Sequence, residues 1–350
     1  MSSLQTSSFA ALIRRFETVR DAGRFAPAGT VSPSRAKQRD FCLRALSRRA
    51  ALRSEGTRRL SPAIRHSWLA ISFLSLLAFP VPAATGRVEC NSLPSKILSR
   101  LVAYCVVLPA SFDADKNKKF PILYDLHGLG DNEQFLVHSG VWNLVEDLRS
   151  NHELKDFLIA TPDGGASFYI NAKDGKNRYE DFLLQEFFPF IERRYRAAPG
   201  RANRAISGVS MGGYGALHLA FRQPQRFSAV SAHSAALIEK LPSFLGSASR
   251  TSPRGRLLGG VFGSPPDPVF FDQNSPIVLA RTASLAGLKI YFDCGDNDDY
   301  GFYAGATALD KLLTSRHVPH EFHLYPGRHD ANYFAEHLPA SLEFHSKVFP

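Results

Sequence analysis

The sequence predicts an α/β fold, with a mostly parallel central sheet and helices on both faces. Two observations lead to the α/β class. From about residue 85 onward, short apolar segments alternate with longer amphipathic ones, and no internal repeat interrupts the alternation. The composition, with 44% hydrophobic and 21% charged residues, is that of a globular chain. It excludes a collagen-like, wholly disordered or disulfide-scaffold protein.

The individual elements follow from segment length and apolar pattern. The segments predicted as strands are short and apolar: Arg87–Asn91, Leu101–Leu108, Phe120–His127, Phe157–Thr161, Arg204–Gly208, Ala229–Ser234, Lys289–Cys294 and Glu321–Tyr325. The segments predicted as helices are longer and amphipathic: Ser139–Ser150, Tyr179–Tyr195, Met211–Arg222, Tyr303–Arg316 and Ala331–Val348. Residues 235–284 are rich in Ser, Gly and Pro, which predicts a loop-rich insertion over the active edge of the sheet.

Basic residues are concentrated at the N-terminus. Residues 1–66 contain 14 Lys and Arg but 4 Asp and Glu, and this surplus equals the net charge of +10 of the whole chain. The rest of the chain is therefore neutral, and no nucleic-acid partner is predicted. Residues 1–63 lack a sustained apolar period, so we expect a disordered or misassigned leader.

Residues 64–84 have the layout of a secretory signal. A basic Arg65 precedes the 12-residue apolar run Trp68–Phe79, and small residues follow at Val81, Ala83 and Ala84. The run is too short to cross a bilayer, which takes about 20 residues, so no stable membrane span is predicted. We therefore expect a secreted or periplasmic protein whose single folded domain is 85–350. Because a signal normally begins near the chain terminus, we also expect Met1 to be a misplaced start.

Three cysteines follow the expected signal: Cys90, Cys105 and Cys294. None has the CxxC or Cys/His spacing of a metal site, so no metal is predicted. Cys90 and Cys105 lie on the two strands of a predicted hairpin. An oxidising compartment permits a disulfide between them, and two free buried thiols are the alternative.

The most informative motif is Gly208-Val209-Ser210-Met211-Gly212, which lies between a predicted strand and a predicted helix. This is the strand–turn–helix context of a GxSxG nucleophile elbow, where glycines leave room for a sharp turn that exposes the serine hydroxyl. Ser210 is therefore predicted to be a nucleophile. An ordinary turn serine is the alternative.

A serine hydroxyl needs a base, and the base needs a carboxylate to orient it. In this architecture the acid and then the histidine follow later strands. Of the 12 histidines, His329 lies directly after the last predicted strand. Asp298 is the favoured acid after the preceding strand, with Asp296 and Asp299 as alternatives. His218 and His233 are predicted to be packing or pocket residues.

Acyl transfer also needs donors for the negative charge on the carbonyl oxygen. One predicted donor is the backbone N–H of Met211, the residue after the nucleophile. The other is the backbone N–H of Leu129, in the turn His127-Gly128-Leu129-Gly130 after a strand. The alternative for this turn is a glycine bend with no chemical role.

These residues together resemble a known family. The segments LPASFDADKNKKFPILYDLHGLGDN, GVSMGGYGALHLAFRQPQRFSAVSAHS, DCGDNDD and YPGRHDANYF look like the Putative esterase family, which includes esterase D, feruloyl and acetylxylan esterases, and mycolyltransferases. The resemblance covers residues 85–350. It implies an α/β-hydrolase fold, a triad of Ser210, Asp298 and His329, oxyanion amides at Leu129 and Met211, and no cofactor.

The predicted function is that of a secreted serine carboxylesterase acting on a small-molecule or polysaccharide ester. Acyl transfer to a sugar or lipid alcohol and S-formylglutathione hydrolysis are alternatives, and a non-catalytic binding module on the same fold is a further one. The acyl and alcohol specificity depends on a pocket that we expect residues 235–284, Trp142 and Phe168-Tyr169 to shape. The spacing of residues leaves this specificity and the oligomeric state open.

Overall fold

The computed structural model describes residues 85–241 and 253–350. The predicted leader 1–63 and the predicted signal 64–84 lie outside the described residues, as do residues 242–252 of the predicted insertion. Within the described part of the chain, no helix is both long and apolar enough to cross a membrane.

Eight strands form one sheet. Their bounds are β1 Arg87–Ser95, β2 Arg100–Leu108, β3 Ile122–Leu126, β4 Leu158–Pro162, β5 Arg204–Gly208, β6 Ala229–His233, β7 Lys289–Gly295 and β8 Glu321–Tyr325. The order in the sheet is β1-β2-β4-β3-β5-β6-β7-β8. The pairs β1·β2 and β2·β4 are antiparallel, and every other pair is parallel. The predicted mostly parallel sheet is therefore present, with an antiparallel hairpin at one edge.

The helices connect these strands. The described ones are α1 Ser111–Ala114, α2 Phe135–His138, α3 Val141–Ser150, α4 Tyr179–Phe182, α5 Phe188–Arg194, α6 Met211–Arg222, α7 Pro253–Phe262, α8 Pro268–Asn274, α9 Pro276–Leu279, α10 Phe302–Ser315 and α11 Ala331–Val348. A π-helical turn at Leu183–Phe187 joins α4 to α5. Pro189 lies just after this turn and has no N–H to continue a regular hydrogen-bond ladder, which accounts for the interruption of the predicted single helix.

The sheet has an apolar core on each face, because side chains alternate along each strand. In β3, Tyr124 and Leu126 belong to the larger cluster, together with residues of α4 to α6. Leu123 belongs to the smaller cluster, which also contains Val145 of α3 and Leu338 of α11. The sheet is thus covered on both faces, as predicted.

The insertion at 235–284 is more helical than predicted, since α7, α8 and α9 lie within its described part. Each of these helices begins with a proline: Pro253, Pro268 and Pro276. The prolines led to the prediction of loops. A proline also fits the first turn of a helix, however, because the N–H groups there have no helical partner. Asp267 adds an N-cap, accepting hydrogen bonds from the backbone N–H groups of Val269 and Phe270.

Cys90 and Cys105 are directly opposite each other on β1 and β2 and form a disulfide. Of the two alternatives for this pair, the structure contains the cross-strand bond. Cys294 in β7 is a free and fully buried thiol.

Candidate active site

Ser210 occupies the turn between β5 and α6. Its φ of 55° and ψ of −113° lie outside the regions that residues with a side chain normally adopt. The turn is tight because the chain crosses itself closely. A Cβ on Gly208 would collide with the backbone of Gly212, and one on Gly212 would collide with the carbonyl of Leu126. The glycines of the motif are therefore sterically required, as the sequence predicts for a nucleophile elbow.

The strained turn is held by backbone hydrogen bonds to the neighbouring strand. The N–H of Ser210 donates to the carbonyl of His233, 2.9 Å away, and the carbonyl of Ser210 accepts from the N–H of Ala236 at 3.0 Å. The Ser210 hydroxyl is thereby fixed at the carboxyl end of the parallel strands, where ligands of α/β sheets bind.

His329 lies between β8 and α11 and connects the serine to a carboxylate. Its Nε2 is 3.0 Å from Ser210 Oγ, and its Nδ1 is 2.6 Å from Asp298 Oδ2. A carboxylate accepts and a hydroxyl can donate, so these partners fit a neutral imidazole with its proton on Nδ1 and a free lone pair facing the serine. The structure thus brings together the three side chains that the sequence analysis singles out.

The three acids in the loop after β7 have different hydrogen-bond partners. Asp298 is buried, and its Oδ1 accepts from the backbone N–H groups of Tyr300 at 2.9 Å and Phe302 at 3.3 Å. Asp296 accepts instead from the N–H of Gly327, and Asp299 pairs with Arg328. Of the three candidates, Asp298 is the one in contact with His329.

Aromatic rings surround the His329 imidazole. The centroids of Tyr300, Phe302 and Phe334 lie 4.6, 5.5 and 5.3 Å from that of His329, each close to edge-on. Asp330 then caps α11, accepting from the backbone N–H of Tyr333 at 3.1 Å. The packing and the cap together restrict the loop that carries His329.

The two predicted backbone donors border the serine. Met211 is the first residue of α6, and an N–H at that position has no intrahelical partner. Gly128 lies next to Ser210, since a Cβ added to it would be 3.6 Å from Ser210 Cβ. The N–H of Leu129 belongs to the peptide bond between Gly128 and Leu129, and this peptide is therefore close to the nucleophile.

Comparison with protein families identifies the family of this chain. The family model described as "Putative esterase" matches residues 95–345. The chain belongs to this family.

Three individual proteins are similar to this chain. An esterase of Mycobacterium tuberculosis is 29% identical over 242 residues, which are 64% of this chain and 51% of that protein. The chain thus spans about half the length of this curated relative. A ferulic acid esterase structure has 29% identity and a TM-score of 0.66, covering 76% of this chain and 99% of that one. An S-formylglutathione hydrolase of Staphylococcus aureus shares the fold, with 21% identity, a TM-score of 0.61 and coverages of 75% and 99%.

Two other histidines of this esterase-family chain are fully buried beside carboxylates. His233 Nδ1 lies 2.7 Å from Asp293 Oδ2, close enough for an ion pair although out of line for a hydrogen bond. His218 Nε2 lies 3.1 Å from Glu180 Oε2, and its Nδ1 donates to the carbonyl of Asn274 at 2.8 Å. Both were predicted to be packing or pocket residues, and both are enclosed packing residues with polar partners.

The aromatic residues expected to shape a pocket are mostly enclosed. Tyr169 is fully buried, and its hydroxyl donates to the carbonyl of His127 at 3.0 Å. Phe168 packs edge-on against Tyr214 and Phe262. Trp142 packs against the smaller core cluster. Tyr169 is therefore a core residue, and the backbone at both Phe168 and Tyr169 is left-handed.

No group of three or more His, Cys, Asp or Glu side chains within residues 85–241 and 253–350 is arranged to hold a metal ion. The described site contains a serine hydroxyl, an imidazole, a carboxylate and backbone amides.

Proposed function

We propose that this protein is a serine carboxylesterase that works through an acyl-enzyme intermediate. The observation that carries the proposal is the continuous contact from Ser210 Oγ to His329 Nε2 at 3.0 Å and from His329 Nδ1 to Asp298 Oδ2 at 2.6 Å, built on a strained strand–helix turn. Membership of the Putative esterase family supports the same reaction class.

In the proposed mechanism, each group of the site has one role. Ser210 attacks the acyl carbonyl while His329 takes the hydroxyl proton at Nε2, and Asp298 stabilises the imidazolium that forms. The amides of Leu129 and Met211 bind the oxyanion. His329 then gives its proton to the leaving alcohol, which departs. A water molecule repeats the sequence on the acyl-enzyme and releases the acid, so one ester and one water yield one acid and one alcohol.

The protein is proposed to act in an exported, oxidising compartment. The signal-like segment 64–84 lies outside the described residues, but the disulfide between Cys90 and Cys105 gives independent support, because such bonds persist in secreted and periplasmic proteins. N-terminal sequencing of the native protein tests this proposal. Export with cleavage gives a mature chain that begins close to residue 85, whereas a mature chain that retains residues 1–60 contradicts it.

A hydrolysis panel tests the activity itself. The panel consists of short-chain p-nitrophenyl esters, methyl ferulate, acetylated xylan and S-formylglutathione, each assayed with and without an acceptor alcohol. We expect hydrolysis of carboxylic esters, with water as the acceptor, and methyl ferulate among the substrates because a ferulic acid esterase is a structural relative at 29% identity. Transesterification in preference to hydrolysis identifies an acyltransferase instead.

The panel requires an inactive reference. The Ser210→Ala variant keeps the fold and removes the attacking oxygen, so every activity that belongs to this site disappears with it. Hydrolysis that survives in this variant comes from another site and overturns the mechanism.

A further inference from the structure

His127 is a fully buried imidazole at the end of β3, and both of its ring nitrogens have backbone partners. Nδ1 is 2.8 Å from the carbonyl oxygen of Gly128, and Nε2 is 2.8 Å from the amide nitrogen of Gly164. An amide N–H only donates and a carbonyl only accepts. Nε2 therefore holds a lone pair, Nδ1 holds the proton, and the ring is neutral. The nearest carboxylate oxygen, on Asp163, is 3.8 Å from Nε2.

The carbonyl that His127 holds belongs to the peptide unit of Leu129. Ser264–Pro265 is the cis bond among the described residues, so the peptide between Gly128 and Leu129 is trans. In a trans peptide the C=O and the N–H point in opposite directions. The hydrogen bond to the imidazole fixes the Gly128 carbonyl. It therefore also fixes the Leu129 N–H, which lies in the same peptide plane and points in the opposite direction.

The backbone of His127 is anchored by the loop after β4. The Tyr169 hydroxyl donates to the His127 carbonyl at 3.0 Å. Phe168 and Tyr169 have φ values of 52° and 58°, a left-handed conformation that is strained for residues of this size. The same loop supplies the Gly164 amide to the ring. The strained loop after β4 therefore contacts both the backbone carbonyl and the side chain of His127.

We propose that His127 is a positioning residue that aims the Leu129 amide at the oxyanion, with Gly164 fixing the required tautomer. This inference rests on the proposed esterase function and adds a residue to it. Both ring nitrogens of His127 are occupied by Gly128 and Gly164, so His127 acts through the Gly128 carbonyl. That carbonyl also accepts from the N–H of Asp131 at 3.3 Å, and the shorter contact with His127, at 2.8 Å, is the one that limits rotation of this peptide in a loop containing two glycines.

Two substitutions of equal shape test the proposal. His127→Leu removes the donor, whereas His127→Asn has the same branched outline and can keep an N–H near the position of Nδ1. We expect kcat of the Leu variant to fall about 10²-fold, the usual cost of one oxyanion donor, with KM nearly unchanged. The Asn variant should regain about tenfold of that loss through one restored hydrogen bond. Equal losses in both variants contradict the proposal.

A thionoester substrate supplies a readout that a purely structural role does not move. Sulfur accepts hydrogen bonds poorly, so an intact oxyanion site favours the oxo ester over its C=S analogue. In His127→Leu this preference should fall by about the same 10²-fold as kcat, because the lost interaction is the one to that oxygen. A preference equal to that of the wild type overturns the proposal.

Two further variants keep the outcome decisive. If His127→Leu does not fold, Tyr169→Phe removes only the hydroxyl that holds the His127 carbonyl, and we expect a decrease in both kcat and the oxo-ester preference of about threefold to tenfold. Ser210→Ala separates the two proposals. Full activity in Ser210→Ala overturns the esterase mechanism, whereas an inactive Ser210→Ala beside a fully active His127→Leu overturns only the role of His127.

Discussion

The described part of the chain contains two Ser–His–Asp constellations with nearly equal spacing. One joins Ser210, His329 and Asp298 at the carboxyl edge of the sheet. In the other, His233 lies 2.7 Å from Asp293 and its Nε2 is 2.7 Å from the hydroxyl of Ser341 in α11. The second one is completely enclosed, with the side chains of His233 and Asp293 at 0% exposure. Spacing alone therefore does not make a nucleophile.

The direction of the serine–histidine hydrogen bond differs between the two. The Ser341 hydroxyl donates to the carbonyl of Leu338 at 3.0 Å, so its oxygen accepts from His233 Nε2. Burial lowers the pKa of His233, but the Asp293 carboxylate outweighs burial and holds this pKa above its usual value. A histidine nitrogen that donates to a serine cannot act as its base. Ser210, in contrast, faces a lone pair of His329.

The backbone around each serine differs as well. Ser341 lies inside the 18-residue helix α11, where its N–H belongs to the regular hydrogen-bond ladder. Ser210 lies just before the first residue of α6, where N–H groups lack helical partners and can bind an anion. The difference teaches that exposure, helix position and hydrogen-bond direction distinguish the proposed catalytic site from a buried polar cluster.

The largest expected effect separates the two serines. Ser210→Ala should lower kcat by about 10⁶-fold, as loss of a triad nucleophile does elsewhere. Ser341→Ala should leave kcat within about twofold but lower the free energy of unfolding by about 1–3 kcal/mol, since a buried donor loses its acceptor. Ester hydrolysis and denaturant unfolding measure the two quantities. A large loss of activity in a folded Ser341→Ala protein would assign chemistry to the buried constellation.

The two aspartates should differ in the same way. Asp298→Asn should reduce kcat by about 10⁴-fold, because an amide favours the wrong tautomer of His329. Asp293→Asn leaves His233 without its counter-ion, and we expect about 3–5 kcal/mol of destabilisation instead. The measurement is again activity against unfolding free energy. If Asp293→Asn loses kcat at unchanged stability, the assignment of Asp293 to structure is wrong.

Sequence reasoning identifies Ser210, Asp298 and His329 because each directly follows a strand. The strand bounds Arg204–Gly208 and Glu321–Tyr325 are the same in prediction and structure. The carboxyl ends of parallel strands meet at one edge, so a reader of the sequence can place their loops together. Local pattern and topology suffice for these residues.

The second constellation and the role of His127 need three-dimensional packing. Tyr333 donates to Asp293 Oδ1 at 2.7 Å across 40 positions, and Ser341 reaches His233 across 108. Periodicity indicates which face of α11 is buried but not which strand residues it meets. The HGLG turn likewise predicts a backbone donor, whereas the partner that fixes the His127 tautomer comes from the loop after another strand.

Asp125, a buried carboxyl group near His233, should affect how the free energy of unfolding depends on pH. Burial raises the pKa of Asp125 from 3.8 to about 6, partly offset by a hydrogen bond with Ser207 and by the nearby His233. The folded state binds this proton more tightly than the unfolded state does. The stability that the protonated Asp125 contributes is therefore fully present below pH 3.8 and is lost as pH rises through about 6.

Asp125→Asn removes this titration without removing the hydrogen-bonding side chain. We expect the variant to gain stability relative to wild type by about 3 kcal/mol between pH 3.5 and pH 8, the equivalent of the shift in pKa. Denaturant unfolding across this pH range measures the difference. A difference that does not change with pH would show that Asp125 is not the group whose ionisation the fold opposes.

The smallest effect concerns how the proposed catalytic acid is held. The Cys294 thiol is 3.8 Å from Asp298 Oδ2 and makes a weak hydrogen bond at most, whereas the N–H of Tyr300 is 2.9 Å from Oδ1. Burial raises the pKa of the Cys294 thiol, so this group stays neutral beside the carboxylate. The backbone amides therefore supply most of the orientation.

Cys294→Ala tests this division between the thiol and the amides. We expect kcat to fall by less than about threefold, and the acid limb of the pH–rate profile to stay in place, because the contact between Asp298 and His329 is unaffected. Cys294→Ser is the matched control, since it restores a stronger donor at the same position. A tenfold loss in the Ala variant that the Ser variant recovers would make the thiol a required partner of Asp298, and the proposed catalytic site would then depend on a buried side chain as the second constellation does.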